Sequence, residues 1–386
     1  MEYFLTDIQK EIKELAHQIA EEKIKPVRAK YDEEGIFPND VMEALAQADM
    51  FGLYIPEEYG GMGGGVTDLC IAVEELSKAC GGIAVSYAAS ALGTFPILIA
   101  GTEEQKKKYI PDIASGKKLA AFALTEPNAG SDAAGIQTTA RLEGDYYVLN
   151  GMKQWITNGG EADTYTVFAM TDKSKGARGA SAFIVEKGTP GFTFGKKENK
   201  LGIRSSATRE LIFDECKIPK ENLLGREGMG FIIAMKTFDT SRPGIAAQAV
   251  GIAQGALDET IEYIKQREQF NKKIISFQGV QWMLADMATK IEAARQLTYH
   301  SAKLIDEGIK NVGKYSAMAK VFASDTAMEV TTNCVQLFGG YGYMKEYPIE
   351  KYMRDAKITQ IYEGTNQIQR EIIALALIRE SNKKKN

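Results

Sequence analysis

The chain has 386 residues, 44% of them hydrophobic and 25% charged, with only 10 prolines, the profile of a globular protein able to bury a large core in two or three units. Its 47 basic and 51 acidic residues leave a formal net charge of −4 with the signs interleaved, which excludes a surface built to attract nucleic acid or an anionic membrane. Four scattered cysteines (Cys70, Cys80, Cys216, Cys334) and two histidines (His17, His300) assemble neither a disulfide framework nor a zinc site, so no metal is expected.

In chain order, the start at Met1–Asp7 lacks a basic segment followed by an apolar core. No apolar run of about 18 residues is expected anywhere, so the protein is read as soluble and cytoplasmic, without a membrane partner. Residues 1–118 read as helices. Ile8, Ile12, Leu15 and Ile19 recur at spacings of four and three, and Thr6 with Gln9 forms a capping-box start. The glycine cluster Gly60–Gly65 neither follows a clear strand nor carries the Lys-Ser/Thr of a phosphate loop, and is expected to be a mobile turn between two helices. Residues 119–227 change texture to short apolar or alternating runs (146–149, 165–169, 182–185, 210–213) separated by Asn-Gly, Gly-Asp and Pro-Gly turn signals, a β domain. From 228 to 386 the helical period returns, in stretches of roughly 228–268, 276–308, 313–338 and 366–380, ending in a solvated Lys383–Lys385 tail. The groups Gly228, Gly230 and Gly339, Gly340, Gly342 miss the spacing of a nicotinamide-binding turn.

Four segments place polar residues among glycines and apolar neighbours in ways a simple core does not need. They are Leu124-Thr125-Glu126-Pro127-Asn128-Ala129-Gly130-Ser131-Asp132; Gln154-Trp155-Ile156-Thr157-Asn158-Gly159; Arg267-Glu268-Gln269-Phe270; and Gln336-Leu337-Phe338-Gly339-Gly340-Tyr341-Gly342 followed by Arg354 to Gln367. A flavin needs a flat apolar wall and hydroxyl or amide partners, and Trp155 with Thr125, Thr157 and Ser131 supplies those chemical types.

Together, in this order and at these separations, the motifs T-E-P-x-A-G-S-D, W-I-T-N-G, R-x-x-F, Q-x-F-G-G-x-G and M-R-D-A-K-I-x-Q-I-Y-E-G-T-N-Q resemble the acyl-CoA dehydrogenase family over essentially the whole chain, in its short- and medium-chain, butyryl-CoA dehydrogenase-like type. The resemblance implies an α+β multidomain fold: an N-terminal helical domain, a middle β-barrel domain and a C-terminal four-helix bundle, assembled as a homotetramer with FAD held between subunits. Leu124, Thr125, Ser131, Trp155 and Thr157 match flavin contacts of the family. Arg267, Phe270, Gln336 and Gly340 match contacts from a neighbouring subunit, and Thr365 and Gln367 further cofactor contacts. Asn271 departs from the glycine that many members carry after the phenylalanine.

The same resemblance makes Glu363 the catalytic base. The α-hydrogen of a thioester is a poor acid, so its removal needs a positioned base and stabilisation of the enolate oxygen. A carboxylate of ordinary pKa about 4.3 becomes a stronger base when burial penalises its charge. The implied oxyanion donors are the Glu363 N–H and a ribityl hydroxyl of FAD, with hydride passing from Cβ to flavin N5 and onward to an electron-transfer flavoprotein. Asp239 and Arg242 match residues near the coenzyme A moiety, while Ser131, Tyr362 and Gly364 are expected to border the substrate. The helix from Ser86 to Phe95 is expected to floor the acyl pocket, with Tyr87, Leu92 and Phe95 limiting it to short straight, branched or alicyclic groups. The alternatives are the reverse reaction, enoyl-CoA reduction, an acyl-CoA oxidase, and a flavin-containing nucleic-acid-binding relative, the last disfavoured by the net charge.

Overall fold

The computed structural model describes residues 5–383. Thr6 caps α1 (Asp7–Ile19): its hydroxyl accepts from Gln9 N, and the Gln9 side chain accepts from Thr6 N, both at 3.2 Å. Ile12, Ala16 and Ile19 turn inward, whereas Ile8 and Leu15 of the expected stripe are 64% and 39% exposed. The helix lies on the outside of the domain and buries a narrower face than its sequence offers. Next come α2 (Arg28–Glu34), α3 (Asn39–Gln47), α4 (Val66–Ala79), α5 (Gly81–Ala100) and α6 (Glu103–Ala114).

Two expectations are corrected here. The glycine cluster is a packed turn, not a mobile one: a Cβ on Gly61 would stand 2.0 Å from the Ile55 carbonyl oxygen, and one on Gly64 2.4 Å from that of Leu53. Helix α5 carries 20 residues without a charge and is long and apolar enough to cross a membrane, contrary to the reading that no such run exists. Its most apolar window is 72% buried within the protein, which makes it a core helix.

A sheet follows: β1 (Ala120–Ala123), β2 (Thr139–Glu143), β3 (Tyr146–Thr157), β4 (Thr164–Met170), β5 (Ala180–Glu186), β6 (Phe192–Lys197), β7 (Thr208–Pro219) and β8 (Leu223–Leu224). The hydrogen-bonded order is β6-β7-β3-β2-β4-β5-β8, with β1 parallel to β4. Strand β4 is buried along its whole length. Its Thr166 hydroxyl donates to the Gly93 carbonyl of α5, and Tyr165 packs with Phe192 and Phe194.

The remainder is helical: α7 (Gly230–Gln266), a short hairpin of β9 (Glu268–Gln269) and β10 (Lys272–Lys273), α8 (Gln278–Asp306), α9 (Gly313–Phe338), α10 (Ile349–Thr359) and α11 (Asn366–Lys383). Helix α7 has 37 residues and so spans about 55 Å. Pro243 inside it lacks the N–H that would bond the Asp239 carbonyl. Ser316 of α9 takes over that acceptor at 2.7 Å, which ties the two helices at this point. Ion pairs Arg28–Glu259 (2.6 Å) and Arg354–Asp32 (2.7 Å) join the first helices to α7 and α10. The Ile203 N–H donates to Asp355 at 2.5 Å and joins the sheet segment to α10.

Candidate active site

Glu363 and Gly364 form a left-handed turn between α10 and α11, with φ of +52° and +96°. Glycine takes this conformation freely, but a glutamate in it costs about 1–2 kcal/mol and persists only where its surroundings hold it. Here they do. The Glu363 carbonyl accepts from Arg242 Nε and Gln369 Nε2, each at 3.2 Å, and the Gly364 carbonyl accepts from Lys320 Nζ at 2.8 Å and Gln369 Nε2 at 2.9 Å. A Cβ on Gly364 would stand 2.6 Å from Gln369 Nε2, so this pair of carbonyls and their donors require glycine there. The Tyr362 hydroxyl donates to Gln248 Oε1, and Gln248 Nε2 donates to the Gly81 carbonyl at 2.9 Å.

The Glu363 carboxylate accepts from the Ser241 hydroxyl at 2.5 Å. Burial pushes its pKa above the ordinary carboxylate value, while the Ser241 hydrogen bond and the charges of Arg242 and Lys320 oppose the rise. Arg242 is buried, and its guanidinium goes to the Glu363 carbonyl and to Asp239 Oδ1 at 3.2 Å. Expected beside coenzyme A, it builds the turn that carries Glu363. Asp239 is half-buried and pushed up by desolvation against the pull of Arg242. Tyr362 and Gly364 are half-buried in the same turn.

In the sheet, Leu124 is buried, Thr125 and Thr157 half-buried, and Ser131 exposed. Between β3 and β7 the register slips: Lys153 faces Leu211 and Ile156 faces Arg209, so Gln154 and Trp155 oppose the single residue Glu210. This bulge puts Trp155 at φ +56° and leaves its side chain 59% exposed on a strand whose neighbours are buried. The Leu124–Glu126 segment is fastened to that strand. Gln154 N donates to the Thr125 carbonyl at 2.8 Å, and Lys153 Nζ to the Leu124 carbonyl at 3.0 Å and Glu126 Oε1 at 2.7 Å. Glu126 also accepts from the N–H groups of Gln137 and Thr138. An open indole set beside half-buried hydroxyls on a rigid strand fits the flat ring and polar edge of a flavin.

A second group lies elsewhere. Arg267 ends α7, 26 residues and about 39 Å along the helix from Ser241. Phe270 and Asn271 make the two-residue turn of the β9–β10 hairpin, both left-handed at φ +55° and +56°. Such a turn favours glycine or asparagine, so Asn271 suits the backbone at this position. Phe270 is 88% exposed at the tip. The Arg267 guanidinium lies 5.5 Å from the Tyr341 ring centroid, which brings it beside the exposed Gly340 and Gln336 at the end of α9. Thr365 caps α11, its hydroxyl accepting from Ile368 N at 3.3 Å, and Gln367, the second residue of the helix, is exposed.

Of the residues expected to limit the acyl pocket, Tyr87 packs edge-on against Phe51 and donates to the Met50 carbonyl at 2.8 Å, and Phe95 packs against Tyr54. Both rings belong to the N-terminal core. Ser241, Gln248, Lys320 and Gln369 complete the surroundings of the Glu363 turn without having been singled out in the sequence. Ser241 had one signal, its place beside Arg242, and Lys320 another, a lone cation in the small and apolar run from Ser316 to Ser324.

Three family models match the chain: acyl-CoA dehydrogenase N-terminal domain over residues 6–117, middle domain over 121–216 and C-terminal domain over 228–378. A Clostridium acetobutylicum protein named short-chain specific acyl-CoA dehydrogenase is 51% identical over 98% of this chain and 100% of its own. The solved butyryl-CoA dehydrogenase of Megasphaera elsdenii superposes with a TM-score of 0.95 at 51% identity, covering 97% of this chain and 99% of its own. A solved chain from work on the electron transferring flavoprotein of Acidaminococcus fermentans and flavin-based electron bifurcation superposes at 0.96, with 56% identity and the same coverage.

Proposed function

The chain belongs to the acyl-CoA dehydrogenase family, FAD-dependent oxidoreductases acting on CH–CH bonds, and from that premise we propose that it desaturates short-chain acyl-CoA thioesters with Glu363 as base. The observation that carries this reading is a desolvated carboxylate with a raised pKa, held in a strained turn by four side chains. Glu363 takes the Cα proton: the C–H bond breaks, an O–H bond forms on the carboxylate, and negative charge grows on the thioester oxygen. Among the described residues the Glu363 N–H donates to no acceptor, so it is available to that oxygen. FAD, when bound, supplies the acceptor for the hydride leaving Cβ.

Leu124, Thr125, Ser131, Trp155 and Thr157 would hold the flavin end of the cofactor. Arg267, Phe270, Gln336 and Gly340 would hold the other end in a second copy of the chain, because the length of α7 separates them from Ser241 and the base. This supports a homo-oligomer, a tetramer by family expectation. An electron-transfer flavoprotein is the proposed acceptor, supported by the Acidaminococcus relative. Straight, short acyl chains fit the relatives' names, with branched and alicyclic chains as the wider class. The test is bleaching of bound FAD by a panel of acyl-CoA thioesters. Glu363→Gln is expected to stay yellow yet lose about 10²–10⁴-fold in bleaching rate with every substrate, and near-normal bleaching overturns the assignment.

A further inference from the structure

We propose that Lys320, on α9, is a positioning residue for this reaction: it holds the left-handed turn that carries Glu363 and sets a titratable charge behind that carboxylate without pairing with it. The proposal rests on the reading of Glu363 as the base. Lys320 is completely buried, and its Nζ donates to two neutral oxygens, the Gly364 carbonyl at 2.8 Å and Asn366 Oδ1 at 2.9 Å. Among the described residues no carboxylate lies within ion-pair distance of it. Asn366 is itself fixed, donating to Ser324 Oγ at 2.8 Å and Asp325 Oδ1 at 2.7 Å. Asp325 in turn pairs with Arg370 and accepts from Gln360. Both ends of the turn are therefore anchored to α9, and Lys320 is the anchor that reaches the residue next to the base.

Burying an ammonium without a counter-ion is costly, and natural chains seldom do it without a use. A carboxylate partner at this spot would hold the cation but leave the site with an ion pair in place of a free base. Carbonyl partners hold the side chain and keep Glu363 available. The stoichiometry suits either charge state, since a neutral amine retains two N–H groups for the two acceptors. The charged groups acting on Lys320 are Glu363 in the turn, Arg242 on α7 and Asp325 on α9 itself. Burial pushes its pKa down to about 7, against the pull of Glu363 and Asp325. The sign follows: protonated Lys320 stabilises the Glu363 carboxylate and weakens it as a base, and loss of that proton strengthens it.

The test is the rate of flavin bleaching by butyryl-CoA in the holoenzyme between about pH 5.5 and 9.5, beside exchange of the acetyl-CoA methyl hydrogens with D2O. Acetyl-CoA has no Cβ, so the exchange reads proton removal alone. The natural chain is expected to show two rising ionisations. Lys320→Met should keep its FAD and its acyl-CoA affinity within about twofold, lose about 10–100-fold in both rates, and show one ionisation. Lys320→Arg, which stays charged, should recover part of the rate and also show one. A single ionisation in the natural chain, or a Lys320→Met chain with unchanged rates and profile, overturns the proposal; the first needs no variant and decides the matter even if Lys320→Met does not fold. Glu363→Gln separates the two readings: inert beside an unaffected Lys320→Met, it sinks only the role of Lys320, whereas active it removes the base itself.

Discussion

Among the described residues two lysines, Lys153 and Lys320, are wholly enclosed, and their partners differ. Lys153, in the sheet, meets Glu126 at 2.7 Å. Burial pushes that carboxylate up, but the charge of Lys153 and the donors from Thr138 and Gln137 outweigh it and leave Glu126 below its ordinary value. Burial holds Lys153 down to about 8 against the attraction of Glu126, so both remain ionised at neutral pH. Lys320, among the helices, has only oxygens of neutral groups within reach and lies near 7. The first arrangement is a clamp that fixes the Leu124–Glu126 segment beside Trp155. The second sets a cation near the Glu363 carboxylate without pairing with it, the arrangement that the proposed base calls for. Enclosure alone does not say what a buried charge is for; the chemistry of its acceptors does.

Breaking the clamp should have the largest effect on the fold. Lys153→Met strands Glu126 without its cation and is expected to cost about 3–5 kcal/mol, read as a fall in Tm and in retained FAD. Adding Glu126→Gln to that variant should recover part of the loss, which separates the stranded charge from the missing contacts. The helical site sharpens the contrast at smaller scale. Ser241→Ala removes a donor to the ionised form of Glu363, so the base's pKa rises and the acid limb of the bleaching profile should move up by about 1–2 pH units with little change in Tm. The smallest effect is expected where no charge is buried. Asn271→Gly at the hairpin tip relieves a left-handed side chain and should change stability by about 0.5 kcal/mol or less, leaving FAD affinity within about twofold.

The helix, sheet, helix order was legible because hydrophobic period changes from about 3.6 to 2 and back are properties of local sequence. Thr6 with Gln9 announced a helix start for the same reason, all its partners lying within four residues. What stayed hidden depends on distance in the chain. Helix α10 turns Ile349, Tyr352, Ala356 and Thr359 inward at helical spacing, but over only 11 residues and with the charged Lys351 and Asp355 buried among them. The stripe is therefore short and interrupted, and its partners lie far away in sequence. The bulge at Trp155 exists only in the pairing of β3 with β7, more than 50 residues later. The motif around Glu363 marked it as the proposed base, but nothing local reveals that Ser241 and Lys320, 122 and 43 residues earlier, converge on its turn. The glycine cluster misled because glycine serves close packing and freedom of motion equally well, and only the Ile55 and Leu53 carbonyls distinguish them.

The apolar helix α5 bears on how the chain comes to be made. It is sheathed by α4 before it, by β1 and β4 after it, and by α7, whose Gln248 reaches back to the Gly81 carbonyl. Until synthesis has passed that part of α7, an uncharged helix of membrane-like composition has no complete shelter. A chain interrupted in the sheet would therefore display it to chaperones, to lipid or to its own kind, and premature truncation should yield aggregates rather than a smaller soluble fragment.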